Sequence, residues 1–201
     1  MPYQENKRKA FYNFSVKLGM FFSNIPLTPN QWTALSLVPA ILAAYLLTQE
    51  YFATAGVLFF AALFIDWIDG SVAKVVGKAN AKGAYVDTII DRYVEGIVVF
   101  GLLFAALPDF FIPIRGWILI MLCGFFFSTY AKAASAEKGI MKEEHIGSFL
   151  NRAERTIILG AGILLAGLGP IYLTYVIVAL AVLTNLAAIQ RISSAFKAYD
   201  S

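Results

Sequence analysis

Residues 66–91 read DWIDGSVAKVVGKANAKGAYVDTIID and contain four aspartates, Asp66, Asp69, Asp87 and Asp91. On a helix, residues three or four positions apart share one face, so the spacing predicts two pairs of neighbouring carboxylates. Two such helices joined by a short loop would bring all four carboxylates into one cluster. Because like charges at the edge of an apolar phase repel each other and lose hydration, some of the carboxylates would become protonated unless cations compensated their charge. Oxygen ligands of this kind favour one or two divalent ions, Mg²⁺ or Mn²⁺.

This stretch resembles the signature of the CDP-alcohol phosphotransferases, DxxDGxxAR followed after eight residues by GxxxDxxxD. Lys74 stands where the family usually has Arg, and a Lys keeps the charge but lacks the planar fork that binds phosphate oxygens in pairs. The resemblance implies an integral membrane enzyme that transfers the phosphatidyl-type group of a CDP-linked lipid to a small alcohol and releases CMP. It also implies a homodimer. The matching positions are Asp66, Asp69, Gly70, Ala73, Gly83, Asp87 and Asp91.

By the same resemblance, Asp66, Asp69 and Asp87 hold two Mg²⁺ or Mn²⁺ ions. The family assigns the general base to its last aspartate, here Asp91, with some metal contact as well. The resemblance further implies a nucleotide site, to which the segment around Thr33 contributes. An alternative for the small residues is close helix packing, and for Lys74 a solvated lysine. The expected nucleotide-binding residues are Thr33, Asp66, Asp69, Gly70, Ala73, Lys74 and Gly83.

The composition indicates a polytopic membrane protein. Of 201 residues, 59% are hydrophobic and 14% charged, against about 45–50% and 25% in soluble domains. We predict an all-α integral membrane bundle of six transmembrane helices, each of about 20 residues, in a single domain over residues 1–201. Residues 2–23 combine cations with aromatics at helical spacing and predict an amphipathic helix in the membrane interface. The expected spans are about 31–48, 52–76, 84–107, 114–136, 153–168 and 170–190.

The distribution of cations predicts the orientation. With the N-terminus in the cytoplasm, every Lys and Arg except Arg115 lies on or near the cytoplasmic side, which agrees with the positive-inside rule. This orientation places both termini and the aspartates at the cytoplasmic membrane boundary. The single cysteine, Cys123, excludes an internal disulfide, and no cleavable signal peptide is expected.

Four basic residues near the predicted cytoplasmic ends of spans four to six suggest an acceptor that carries a phosphate. Members of the family that make phosphatidylinositol phosphate or archaetidylinositol phosphate are similar here, with a segment like NRAER at 151–155. Inositol phosphate is therefore the first expected acceptor, followed by glycerol 3-phosphate and then serine. The donor is CDP-diacylglycerol or CDP-archaeol, and no nucleic-acid partner is expected. The expected acceptor site consists of Lys132, Arg152, Arg155 and Arg191.

Other assignments remain open at this point. Asn30 suits either a helix cap or the nucleotide pocket. Glu95 continues the line of Asp87 and Asp91, as a structural glutamate or as a group that tunes Asp91. His145 has no partners at ligand spacing. A divalent-cation transporter is the main alternative class, but transport sites usually lie near the membrane midplane in repeated halves, and the motif occurs once.

Overall fold

The computed structural model describes residues 15–77, 80–140 and 149–199. Its regular elements are all helices, apart from one isolated bridge between Phe110 and Ile112. Residues 15–22 are helical and form the described part of α1. The remaining helices are α2 (Pro29–Leu35), α3 (Leu37–Thr48), α4 (Phe52–Val75), α5 (Ala81–Leu102), α6 (Ile114–Glu137), α7 (Arg152–Leu165) and α8 (Pro170–Tyr199). The prediction of an all-α chain is confirmed.

A helix lies at each of the six expected spans, but only some of them meet the requirements of a membrane span. Among the residues that the structure describes, four segments are long and apolar enough to cross a membrane: Pro29–Thr48, Phe52–Val75, Ile114–Glu137 and Pro170–Tyr199. Helix α5 has several charged residues in its first half, including Lys82, Asp87 and Asp91, which lower its apolar character. Helix α7 has only 14 residues, which is short for a membrane span. The count of six spans therefore stays a prediction.

The first expected span, 31–48, is two helices with a break at Ser36. Thr28 caps α2 through a capping box, in which its backbone N–H donates to Gln31 Oε1 at 2.8 Å. Pro39 follows in the first turn of α3, and a proline has no N–H to donate to the carbonyl four residues earlier. The interruption at Ser36 thus lies within one turn of the proline that removes this hydrogen bond.

Two helix ends differ from the expected positions. Helix α5 ends at Leu102, five residues before the expected boundary near 107. Helix α8 continues to Tyr199 rather than ending near 190, because the residues that follow Arg191 include no Gly or Pro. The expected cytoplasmic tail is thus a helical extension of the last span.

The interfacial helix expected at 2–23 lies mostly outside the described residues. Within its described part, Ser15 and Ser71 are buried and their hydroxyl oxygens are 2.8 Å apart. Gly19 also lies against α4, because a Cβ at Gly19 would overlap the Ser71 carbonyl and fall 2.7 Å from the side chain of Val75. Residues 15–22 therefore pack against the second half of α4, and their place in a membrane interface stays a prediction.

The described residues form two compact units. One contains the described residues up to Ala43 together with Leu58–Val98, and the other contains Ala44–Val57 together with the described residues from Val99 onward. In the second unit, α6 and α7 both pack against α8. Asn185 ties α6 to α8, since its Nδ2 donates to the Ile120 carbonyl at 2.9 Å. The buried side chains of this unit include Ile118, Met121, Leu159, Ile163, Ile177 and Leu180.

Gly124 permits the close approach of α6 and α8. An added Cβ would overlap Thr184 Oγ1 and lie 2.7 Å from Asn185 Nδ2. We expect Gly124→Ala to lower the stability by about 1–3 kcal/mol, measured as a lower Tm of the purified protein in detergent. Gly116→Ala is the matched control on the same helix, because its Cβ would meet only the flexible end of Ile112, at 3.2 Å. Equal melting temperatures for the two variants would contradict this account of the packing.

Candidate metal and nucleotide site

A small apolar cluster holds α2 against α4 in the first unit. Trp32, Ile68 and Val72 are buried together, and the rings of Phe22 and Trp32 meet edge to face with centroids 5.5 Å apart. Burial of large apolar side chains is the main stabilising term of such a contact. Because Thr33 follows Trp32 and Asp69 follows Ile68, the cluster places these two polar residues beside each other.

Three of the four aspartates lie together. Asp66 and Asp69 from α4 and Asp87 from α5 each offer an oxygen, and these oxygens all lie within 4.8 Å of one another. Asp69 is 5% exposed, and its Oδ2 has no hydrogen-bond partner. Its carboxylate has the Thr33 hydroxyl and the Gly70 N–H as hydrogen-bonding neighbours. The remaining oxygen is therefore available to a cation.

The three carboxylates fit a divalent metal. Mg²⁺ and Ca²⁺ bind oxygen ligands at about 2.0–2.6 Å, so oxygens about 4–5 Å apart can share one ion. Carboxylate oxygens are the ligands that Mg²⁺ and Mn²⁺ prefer. Three buried or half-buried negative charges also need compensation in a low-dielectric environment. Asp66, Asp69 and Asp87 would hold the ion or ions.

Asp91 does not join this group of three, although the sequence placed it with them. It lies one helical turn beyond Asp87, and four residues of helix advance the chain by about 6 Å. Its side chain is 4% exposed, and its Oδ2 lies 3.3 Å from Arg92 Nη1. The guanidinium of Arg92 also donates to the Thr88 carbonyl at 3.1 Å. Asp91 is thus a buried carboxylate beside the candidate metal ligands, with a cationic neighbour.

A cleft of about 280 Å³ opens next to the carboxylates. Gly70 lies on its wall, and a Cβ there would meet no atom within 4 Å, so packing between helices does not explain this glycine. At Gly83 a Cβ would come within 3.5 Å of the side-chain oxygens of Asn30 and Asn80. Of the expected nucleotide-binding residues, Thr33, Asp69, Gly70, Ala73 and Gly83 line the cleft, and so does Asp87.

The cleft also includes residues that the sequence did not assign to the site. Asn80 precedes α5, and its Oδ1 accepts a hydrogen bond from the Gly83 N–H at 2.8 Å. Asn is a preferred residue at the N-terminal cap of a helix, where its side chain accepts a hydrogen bond from a backbone N–H in the first turn. The cap at Asn80 could therefore have been predicted from the sequence. Pro29 and Ala84 complete the wall, and Asn30 lies in the cleft rather than at the cap, which is Thr28. Lys74, in contrast, is exposed in the last turn of α4.

The expected acceptor residues belong to the second unit, where two arginines are buried. Arg155 is 2% exposed and donates from Nη1 to the Phe125 carbonyl at 3.0 Å and from Nη2 to Thr129 Oγ1 at 3.2 Å. Its guanidinium also lies 4.4 Å from the centre of the Phe125 ring, a cation–π contact. Its burial among these groups was not predicted.

Arg191 is held on the same part of α6. It is 7% exposed, and its Nη1 donates to the carbonyl and the hydroxyl of Ser128. Its Nε is buried without a hydrogen-bond partner. Both guanidinium groups therefore contact residues 125–129 of α6. Lys132 and Arg152 are half-buried, on α6 and at the start of α7. Glu95 is buried in α5, and His145 lies outside the described residues.

The chain is similar in sequence to archaetidylinositol phosphate synthases and to a bifunctional IPC transferase and DIPP synthase. The archaetidylinositol phosphate synthase of Methanothermobacter thermautotrophicus is 32% identical over 142 residues, which cover 69% of this chain and 67% of the relative. The synthase of the same name from Pyrococcus horikoshii is 29% identical over 86 residues, which cover 43% and 46%. A bifunctional IPC transferase and DIPP synthase from Thermococcus kodakarensis is 35% identical over 82 residues, which cover 41% and 19%. The chain thus matches less than half the length of the last two proteins.

The fold matches solved structures of a phosphatidylinositol phosphate synthase from Mycobacterium tuberculosis. The structure with CDP-DAG bound has a TM-score of 0.78 and 23% identity, and the match covers 92% of this chain and 94% of that one. The complex with manganese and citrate has a TM-score of 0.79 and 24% identity, with 90% and 88% covered. At these identities the matches establish the fold.

The model of the CDP-alcohol phosphatidyltransferase family matches residues 26–189, which include the carboxylates, the cleft and Arg155, whereas Arg191 lies two residues beyond the match. The four apolar helices agree with the membrane setting of that family and identify an integral membrane protein. The chain belongs to the CDP-alcohol phosphatidyltransferase family.

Proposed function

We propose that the protein transfers the phosphatidyl-type group of a CDP-linked lipid to the hydroxyl of inositol phosphate, with release of CMP. The observation that carries this proposal is the group of three carboxylates within 4.8 Å beside a cleft with small residues on its wall. The names of the archaeal relatives support inositol phosphate as the acceptor. Glycerol 3-phosphate and serine are the alternative acceptors.

Asp66, Asp69 and Asp87 hold two Mg²⁺ or Mn²⁺ ions in this proposal. When bound, the ions neutralise the phosphate oxygens of the CDP-lipid and the charge that develops on the departing CMP. The manganese in the structure of the mycobacterial synthase supports this choice of metal. The Oδ2 of Asp69, which is buried without a hydrogen-bond partner, is one of the oxygens that would receive an ion.

The cleft binds the nucleotide end of the donor. The absence of a side chain at Gly70 and Gly83 leaves room for the donor to approach the backbone closely. Thr33, whose hydroxyl donates to the Pro29 carbonyl at 3.0 Å, lines the cleft beside Asp69. Lys74, exposed at the end of α4, supplies a positive charge to the phosphates as a point charge. The CDP-DAG complex of the mycobacterial synthase supports a CDP-lipid as the donor.

Asp91 is the general base in this proposal. It removes the proton from the acceptor hydroxyl while the oxygen forms its bond to the phosphorus of the lipid phosphate, and the bond from that phosphorus to the CMP oxygen breaks. The proton passes to the Asp91 carboxylate, and the electron pair of the broken bond leaves with CMP. Asp91 is separate from the three-carboxylate group and buried, which suits a proton acceptor better than a metal ligand.

Arg155 and Arg191, with Lys132 and Arg152, bind the phosphate of the acceptor. A guanidinium has five N–H donors. Arg191 donates to Ser128 from Nη1, and its Nε has no hydrogen-bond partner, so Nε can donate to a phosphate oxygen. The carbonyls and hydroxyls of residues 125–129 hold the two guanidinium planes in fixed positions. Fixed arginines lose little side-chain entropy when an anion binds.

The proposal includes the setting of the enzyme. We infer a homodimer in the cell membrane, with the termini and the carboxylates on the cytoplasmic side, on the basis of the family resemblance and the distribution of Lys and Arg. The lipid is diacylglycerol-based or archaeol-based.

Removal of the metal ligand Asp87 tests the cation site directly. We expect Asp87→Asn to lower the affinity for Mn²⁺ by at least about tenfold, measured by the paramagnetic resonance of free Mn²⁺ during a titration. EDTA should abolish CMP release by the unchanged protein, and Mg²⁺ should restore it. Glu50→Gln is the charge-matched control, since Glu50 lies in the turn before α4, outside the carboxylate group. Equal Mn²⁺ affinities of the two variants would contradict the metal site.

If Asp91 is the general base, its substitution should reduce turnover and leave the binding of metal and donor unchanged. We expect Asp91→Asn to reduce CMP release by about 10²–10⁴-fold, because the amide cannot take the proton. Binding of Mn²⁺ and of the CDP-lipid should stay close to that of the unchanged protein, unlike in Asp87→Asn. A loss of Mn²⁺ binding by Asp91→Asn would instead assign Asp91 to the metal ligands.

The acceptor site predicts a selective change in KM. Arg191→Lys keeps a positive charge that reaches Ser128 but loses Nε, so the KM for inositol phosphate should rise about tenfold, equal to about 1.4 kcal/mol. The KM for the CDP-lipid should not change. Arg115→Gln, at the other end of α6, is the control. An equal rise in both KM values would contradict the assignment, and a panel of inositol phosphate, glycerol 3-phosphate and serine identifies the acceptor.

A further inference from the structure

An apolar groove lies between the last turns of α6 and α8 in the second unit. Its volume is about 490 Å³, within the range of about 300–1,000 Å³ found for small-molecule sites. Phe127 and Tyr130 contribute from α6, and Ile192 and Phe196 contribute from α8. The residues assigned to metal, nucleotide and acceptor binding do not line it, so the proposed reaction does not account for this groove.

The hydroxyl of Ser135 has no hydrogen-bond partner in the wall of the groove. It lines the groove, is 4% exposed, and its Oγ has no hydrogen-bond partner. Other hydroxyls of α6 and α8 donate to the carbonyl four residues earlier, as Thr129 does to Phe125 at 3.0 Å and Ser194 to Gln190 at 2.9 Å. An unpaired buried hydroxyl costs about 1–3 kcal/mol. Ser135 Oγ is therefore a donor without an acceptor in the lining of the groove.

The ends of the two helices are cationic. Among the described residues 131–140 and 190–199, the positive groups are Lys132, Lys138, Arg191 and Lys197, and Glu137 is the acidic one. Lys138 lines the groove and is mostly exposed, with its Nζ 3.1 Å from Glu137 Oε1. Exposed ion pairs of this kind are weak, so Lys138 can also bind an anion. The occupant should thus be apolar along its length and anionic at one end.

We propose that the groove binds one acyl chain of an anionic membrane glycerolipid that is not a substrate. The chain lies along Phe127 and Phe196, the ester carbonyl accepts a hydrogen bond from Ser135 Oγ, and the phosphate lies beside Lys138. An ester carbonyl next to an acyl chain supplies the acceptor that Ser135 lacks, and the phosphate complements the cationic helix ends. A second copy of this chain, docked through the same surface, would bring the same cationic helix ends and no anion to complement them.

The test uses the delipidated full-length protein in detergent micelles, with dioleoylphosphatidylglycerol or dioleoylphosphatidylcholine added in equal amounts. Native mass spectrometry counts retained lipids and reports the mass of the assembly, and thermal unfolding gives the Tm. Ala134→Phe fills the groove, because Ala134 lines it. Ala133→Phe is the matched control, because the neighbouring Ala133 is exposed and is not part of the lining.

We expect the unchanged protein and Ala133→Phe to retain phosphatidylglycerol over phosphatidylcholine and to show a higher Tm with it, and Ala134→Phe to lose both effects. Ser135→Ala and Lys138→Gln, which fill no space, should each lower retention by about two- to tenfold. Equal retention by Ala134→Phe and Ala133→Phe would overturn the proposal. So would a Ser135→Ala variant without effect, or a change of assembly mass in Ala134→Phe with phosphatidylglycerol still retained, which would point to a second copy.

Discussion

The mutual repulsion of Asp66, Asp69 and Asp87 is the constraint on which the first unit depends. Their oxygens lie within 4.8 Å of one another, and one of the three carboxylates is almost fully buried. Such an arrangement is unfavourable without a cation, because charges removed from water lose hydration and repel more strongly at low dielectric. The apolar cluster of Trp32, Ile68 and Val72 supplies packing energy beside this site. The fold therefore keeps the carboxylates together at a cost that a bound divalent ion removes.

Two glycines of the chain have different roles, and the atoms around each glycine show which role it has. An added Cβ at Gly124 would overlap Thr184, so this glycine allows two helices to approach closely. An added Cβ at Gly70 would meet nothing, because that glycine lies on the wall of a cleft. From the sequence alone, both explanations were open for Gly70. The structure decides between them because the distinction depends on the residues that come from other helices.

Carbonyl and hydroxyl groups of α6 accept hydrogen bonds from the two buried arginines of the second unit. Arg155 and Arg191 both donate to backbone carbonyls of α6, and the ring of Phe125 adds a cation–π contact to Arg155. Carbonyl and hydroxyl partners satisfy a guanidinium without cancelling its charge. The guanidinium of Arg191, which donates to the carbonyl and the hydroxyl of Ser128, therefore remains able to attract an anion.

The sequence by itself determined the helical membrane class, the family and the helix pairing of the aspartates. Apolar runs and the three- and four-residue spacings are local properties of the chain. The tertiary structure decided that three of the four aspartates form one group, with Asp91 a turn away beside Arg92. It also decided that Asn80 lies on the wall of the cleft, and that α6 holds Arg155 and Arg191 through its carbonyls. These outcomes depend on distances between residues far apart in the chain, and local spacing cannot set such distances because helix packing does.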